Sequence, residues 1–219
     1  MTGSLYVHSL DMASGALLLA GVLVLWRRDL AAIVRLFAVQ GAALAALVAV
    51  LGLHEGHAGT IALAAGIGVL RAVVLPMMLH RAMRAGGAIR ETEPLVNVAS
   101  SLVAAALLAL LSFAVMRPVV ALAPTPATRA VPVAVTVVLL GFFVLVTRRR
   151  ALSQVAGFLM MDNGITAVAF LTTTGVPFIV ELGISLDVLL AVLVLQILTA
   201  RIRAAFGDSD LDDLRELHD

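Results

Sequence analysis

The stretch RRRALSQVAGFLMMDNGITAVAFLTTTGVPFIVELGISLDVLLAVLVLQILTAR, residues 148–201, decides how the chain is read. It opens on Arg148, Arg149 and Arg150, closes on Arg201, and holds two apolar runs joined by a short TTTGVP turn. Each run reaches the length of about 20 residues that a helix needs to cross a bilayer. Three carboxylates, Asp162, Glu181 and Asp187, lie inside them. An ionisable group at membrane depth costs roughly 3 kcal/mol or more, so it marks a candidate functional site and calls for a partner elsewhere in the chain.

Composition points the same way. Of 219 residues, 62% are hydrophobic and 13% charged, and the mean hydropathy of +1.09 excludes an ordinary soluble domain. The expected class is an all-α polytopic membrane protein embedded in the lipid bilayer. All 15 basic residues are Arg, which removes lysine chemistry: no Schiff base, no P-loop, no lysine relay. With no Cys there is no disulfide, thiolate metal site or iron–sulfur cluster in this chain, and no cofactor is expected. His54 and His57 in LHEGHAG have a spacing that permits a metal site, against the plainer reading of a polar turn. A net charge of +1 gives no footprint for nucleic acid.

Seven spans satisfy the length criterion: residues 5–26, 31–53, 58–80, 95–116, 129–147, 151–172 and 176–200. The N-terminal MTGSLYVHSLDMASG lacks a basic region before the apolar run, so the first helix is expected to stay in the mature protein. With seven spans, Arg27, Arg28, Arg81, Arg84, Arg90, Arg148, Arg149, Arg150, Arg201, Arg203 and Arg215 fall on one side, and only Arg117 and Arg129 on the other. Positive charge collects on the cytoplasmic side. The N-terminus is therefore expected outside, the C-terminus in the cytoplasm, and the chain in the inner membrane of a bacterial cell.

Helix by helix, Asp11 reads as an interfacial carboxylate. Gly41 and Ala45 have the four-residue spacing of close helix approach, and Gln40 is expected to bond a neighbouring helix. The third span, AGTIALAAGIGVLRAVVLPMMLH, carries Arg71, 11 residues from Thr60 and so ~16 Å deep at 1.5 Å per residue, too deep to snorkel. Pro76 follows it. Pro94 fits the start of the fourth span, which otherwise reads as packing. The segment MRPVVALAPTPATRA, with Pro118, Pro124 and Pro126, reads as an outer connection that cannot be helical throughout. The fifth span reads as lipid-facing and inert.

Depth decides which charges can meet. Asp162 lies ~18 Å from Arg150 along its helix and Asp187 ~16 Å from Val176, entering from the opposite face. Both are near the middle of a core ~30 Å thick, level with Arg71. Glu181 sits nearer the outer face and about 120° around from Asp187. Arg71 and one aspartate could form a buried ion pair that only fixes helix packing. The functional alternative is that one Arg cannot neutralise three carboxylates, leaving at least one to bind or pass a proton.

The MTGS start, LRAVVLP around Arg71, GFLMMDNG, VELGISLD and the DLDDLREL tail resemble component E of hydrogenase 4, a membrane subunit of energy-converting nickel–iron hydrogenases of the formate hydrogenlyase type. The resemblance covers nearly the whole chain. Residues 128–201 are more distantly similar to the three-helix K subunit of complex I and the C subunit of multisubunit sodium/proton antiporters. Where component E carries Glu in the MMDNG segment, this chain has Asp162. Against the complex I pattern aligned on Asn163, the helix-two Glu falls on Leu159 and the helix-three Glu near Ala191, so both carboxylates here lie about one turn nearer the outer face.

The resemblance implies four N-terminal helices in residues 1–127, a three-helix part in 128–203 and an acidic cytoplasmic tail in 204–219. In the tail, Ser209 and Asp212 resemble a capping box, and Leu211, Leu214 and Leu217 share one face. That pattern suits a solvated tail or a short helix docking on a partner. The implied function is a non-catalytic membrane subunit of a hydrogenase (oxidoreductase) complex, with Arg71, Asp162, Asp187, Glu181 and Asn163 on a proton or cation path. The implied partners are the other membrane and soluble hydrogenase subunits, antiporter-like subunits among them. A scaffold linking antiporter-like subunits, or a small subunit of a cation/proton antiporter, is the alternative. A freestanding transporter is weakened by the absence of internal repeats.

Overall fold

Asp29 separates the first two helices: its carboxylate accepts the Ala31 N–H at 3.1 Å and starts α2 (Leu30–Glu55) directly after α1 (Gly3–Trp26). The computed structural model of the protein describes residues 3–85, 96–148 and 151–172. The connection 86–95 with Pro94 and Arg90, the pair Arg149 and Arg150, and everything from residue 173 onward lie outside the described residues. That includes the expected seventh span with Glu181 and Asp187, and the tail.

At the far end of α2, Gly56 takes the left-handed conformation (φ 72°) that an L-residue rarely adopts, and the chain turns straight into α3. Three parts make up α3: an α-helix over Ala58–Ile67, a π-helical stretch over Gly68–Val74, and a second α-helix over Leu75–Ala85. Pro76 brings no N–H to the turn before it, and the wider π spacing sits just there. Asn97 caps α4 (Val98–Leu122) by accepting the Ser100 N–H at 2.8 Å. A capping box between Thr125 and Thr128, with Pro126 in the first turn, starts α5 (Pro126–Thr147). The sixth helix, α6, covers Ala151–Thr172.

Among the described residues six helices are thus long and apolar enough to cross a membrane, all of the regular structure is helical, and the protein is a multi-pass membrane protein. Two boundaries differ from the sequence expectation. The fourth helix starts three residues later, because Asn97 serves as its cap, and runs on through Pro118 to Leu122. Only Ala123 to Thr125 of the proline-rich segment is non-helical, since Pro126 begins a helix, where a missing N–H costs nothing.

The fifth helix is not inert. Nine of its residues are buried, and it lies antiparallel against α6 at backbone contact. A Cβ at Gly164 would come within 2.6 Å of the Val138 nitrogen, one at Gly157 within 2.8 Å of the Leu145 nitrogen, and one at Gly141 would strike the Met161 backbone. Small residues on both helices let the two backbones meet, the membrane route to tight packing when there is no hydrophobic drive between helices. The Gly41–Ala45 spacing acts likewise between α2 and α3: a Cβ at Gly41 would meet the Arg71 carbonyl at 2.6 Å, and one at Gly68 would meet the Ala45 methyl at 3.3 Å.

Arg148, read from sequence only as an orientation signal, is buried. Its Nη2 donates to the carbonyls of Val24, Leu25 and Arg27 at 3.2, 3.3 and 3.2 Å. A cation there meets carbonyls that the end of α1 leaves without helical partners.

Candidate functional site

Along three helices the buried residues change from apolar to polar at one level. On α2, Phe37 belongs to an apolar cluster with Leu75, Leu79 and Leu159, while Ala43, Leu44 and Leu47 belong to another with Leu63, Ile67 and Phe170. Gln40 lies between them on α2, Arg71 on α3, and Asp162, Asn163 and Thr166 on α6. A third apolar cluster, around Val24, Leu140 and Met160, fills the same end as the first. The polar residues therefore form a thin sheet inside the hydrocarbon-like core.

Arg71 is its centre and is 1% exposed. Nη2 pairs with the Asp162 carboxylate at 2.7 Å and donates to the Thr166 hydroxyl at 3.1 Å; Nη1 donates to the Asn163 carbonyl oxygen at 2.6 Å. The Asn163 amide donates to Gln40 Oε1 at 3.1 Å, and Gln40 Nε2 donates to the carbonyl of Leu17 on α1 at 3.3 Å. A continuous hydrogen-bonded chain thus runs sideways from α3 through α6 and α2 to α1. Such burial is tolerable because the ion is paired and hydrogen-bonded to Asn163 and Thr166 as well; removing one partner from a pair of this kind costs about 3–5 kcal/mol. The Asp162 side chain is 10% exposed, against 1% for Arg71, so the acid is the less enclosed member of a buried pair.

The local sequence explains the placement. Asp162 and Thr166 are four apart and Asn163 adjoins them, which puts all three along one flank of α6. Gly41, next to Gln40, lets α2 touch the backbone of the π-helical stretch that carries Arg71. Of the expected site residues, Arg71, Asp162 and Asn163 come together; Glu181 and Asp187 lie outside the described residues. Gln40 makes the inter-helix bonds expected of it. Thr166 was missed, although its spacing from Asp162 is a readable signal. At the opposite end of α2, His54 stacks on the Tyr6 ring with centroids 3.8 Å apart, and His57 lies 3.5 Å from Glu55. No group of three His, Cys, Asp or Glu that could hold a metal ion occurs among the described residues.

The chain is 57% identical over 210 residues to the uncharacterised protein Rv0085 of Mycobacterium tuberculosis, covering 95% of this chain and 96% of that protein. It belongs to the same family. Beyond that family, hydrogenase-4 component E of Escherichia coli K12 is 28% identical over 217 residues, 99% of each chain, and the Shigella flexneri protein of the same name matches equally. No family model and no solved structure matches the chain.

Proposed function

We propose that the protein is a membrane subunit of a hydrogenase-type complex in which the layer around Arg71 and Asp162 takes part in moving protons or cations. The observation that carries this is the mid-span ion pair tied into a bonded chain across four helices. The full-length likeness to hydrogenase-4 component E supplies the setting. Asp162 is the titratable member. Taking up a proton there would discharge the pair and release Arg71 Nη2, while Asn163, Thr166 and Gln40 hold the guanidinium and its surroundings in place.

A carboxylate at this depth, even one as little exposed as Asp162, needs cover from lipid. Residues 176–200 as a seventh span would supply it, bringing Asp187 and Glu181 to the same system and leaving the N-terminus outside and the C-terminus in the cytoplasm. Residues 128–203 then form the part akin to the complex I K subunit. The partners are the other hydrogenase subunits, with antiporter-like subunits beside the layer.

A second reading is favoured by the three contacts that Arg71 makes to α6: an ion pair so held can serve purely to lock α3 to α6, making the chain a scaffold. One experiment separates the two. In the purified complex, Asp162→Asn is expected to leave hydrogen evolution largely intact while lowering proton transport into vesicles at least tenfold, and Asp162→Glu to retain transport. The paired change Arg71→Met with Asp162→Leu removes both charges without leaving one stranded. Assembly without transport supports translocation, whereas assembly with wild-type transport leaves only the scaffold.

A further inference from the structure

The turn from α1 to α2 encloses a cleft of about 520 Å³ away from the polar layer. Of its lining residues Trp26, Arg27, Arg28 and Arg35 are exposed, while Asp29, Ala32 and Leu36 are half-buried, so the apolar part of its floor is Ala32 and Leu36. We propose that this cleft binds the phosphate of an anionic phospholipid headgroup, with the lipid's glycerol and first acyl carbons on the Ala32 and Leu36 floor.

Four observations converge. The three guanidiniums make no ion pair with a carboxylate among the described residues. Asp29, the one acid in the lining, is engaged by the Ala31 N–H, so three positive charges face one negative. Arg35 is held back along α2 by its Nε–H bond to the Ala31 carbonyl at 3.3 Å, which directs the guanidinium toward the turn and leaves its Nη groups without a partner among the described residues. Trp26 is the last residue of one span and Leu30 the first of the next, which puts the cleft at the level where spans leave the hydrocarbon; the Arg27 guanidinium lies 6.0 Å over the Trp26 ring. Cationic groups at that level with an apolar floor below suit an amphiphilic anion better than a free one, because a free phosphate has no use for the floor.

The test uses the full-length protein, within its complex if it purifies so, exchanged into phosphatidylcholine vesicles doped with phosphatidylglycerol. Lipids retained after mild detergent extraction are counted by native mass spectrometry. Phosphatidylglycerol is expected to be retained over phosphatidylcholine, and the Arg27→Gln, Arg28→Gln, Arg35→Gln triple variant to lower that retention about tenfold or more. Arg117→Gln with Arg129→Gln, at the opposite end, should leave it unchanged. All three targets are exposed, so the thermal midpoint should hold; if the triple variant does not fold, Arg35→Gln alone is expected to give about a fivefold loss. Equal retention in wild type and variant overturns the proposal. So does displacement of the lipid by inorganic phosphate that binds equally well without lipid, which would assign a free-anion site. Loss of a partner subunit from the variant with lipid retention unchanged would assign the cleft to that subunit and overturn it as well.

Discussion

The helices Val98–Leu122 and Pro126–Thr147 are neighbours of nearly equal hydropathy, yet 17% of the α4 span is buried inside the bundle against 50% of the α5 span. Leu107, Leu110 and Phe113 on α4 face outward, and its buried side chains are Ser101, Ala105 and Ser112. In lipid, apolarity places a helix in the membrane without saying which neighbour it touches. What separates the two is small residues and hydrogen bonds. Gly141 on α5 meets Gly157 and Met161 on α6 at backbone distance, while α4 offers a hydroxyl, Ser112, which donates to the Pro132 carbonyl at 2.6 Å.

The comparison can be broken at its strongest point first. Gly164→Leu forces a side chain into the Val138 backbone and is expected to destabilise the folded state by about 3 kcal/mol, read as a lower midpoint of unfolding in detergent. Ser112→Ala removes the bond from α4 to the Pro132 carbonyl on α5 and should cost about 0.6 kcal/mol in the same assay, the usual worth of a polar contact between membrane helices. Leu110→Ala, on the exposed face of α4, should stay within about 0.5 kcal/mol of wild type. An α4 change as costly as the α5–α6 change would mean that the outward leucines are covered by another subunit.

The sequence was most readable where a residue violates its surroundings. Arg71 and Asp162 stand out in apolar spans, and counting 1.5 Å per residue was enough to put them at one level. Gln40 was legible for the same reason. What stayed hidden was partner choice among apolar spans, because Val and Leu look alike toward lipid and toward another helix, and the fifth span was misjudged on that account. Thr166 escaped notice because a hydroxyl in a helix can bond its own preceding turn, and only the fold shows that this one meets Arg71 instead. The π-helical stretch had its hint in Pro76, five residues after Arg71, but a proline in a membrane helix more often means a kink.

Arg148 ties the end of α1 to a residue 121 to 124 positions further along the chain. During synthesis the first helix enters the bilayer long before its clasp has been made, and until the fifth has followed, the carbonyls of Val24, Leu25 and Arg27 must find water or headgroups instead. The final shape of the oldest helix is therefore completed by one of the younger ones, and a ribosome that stopped before residue 148 would leave that end unfinished.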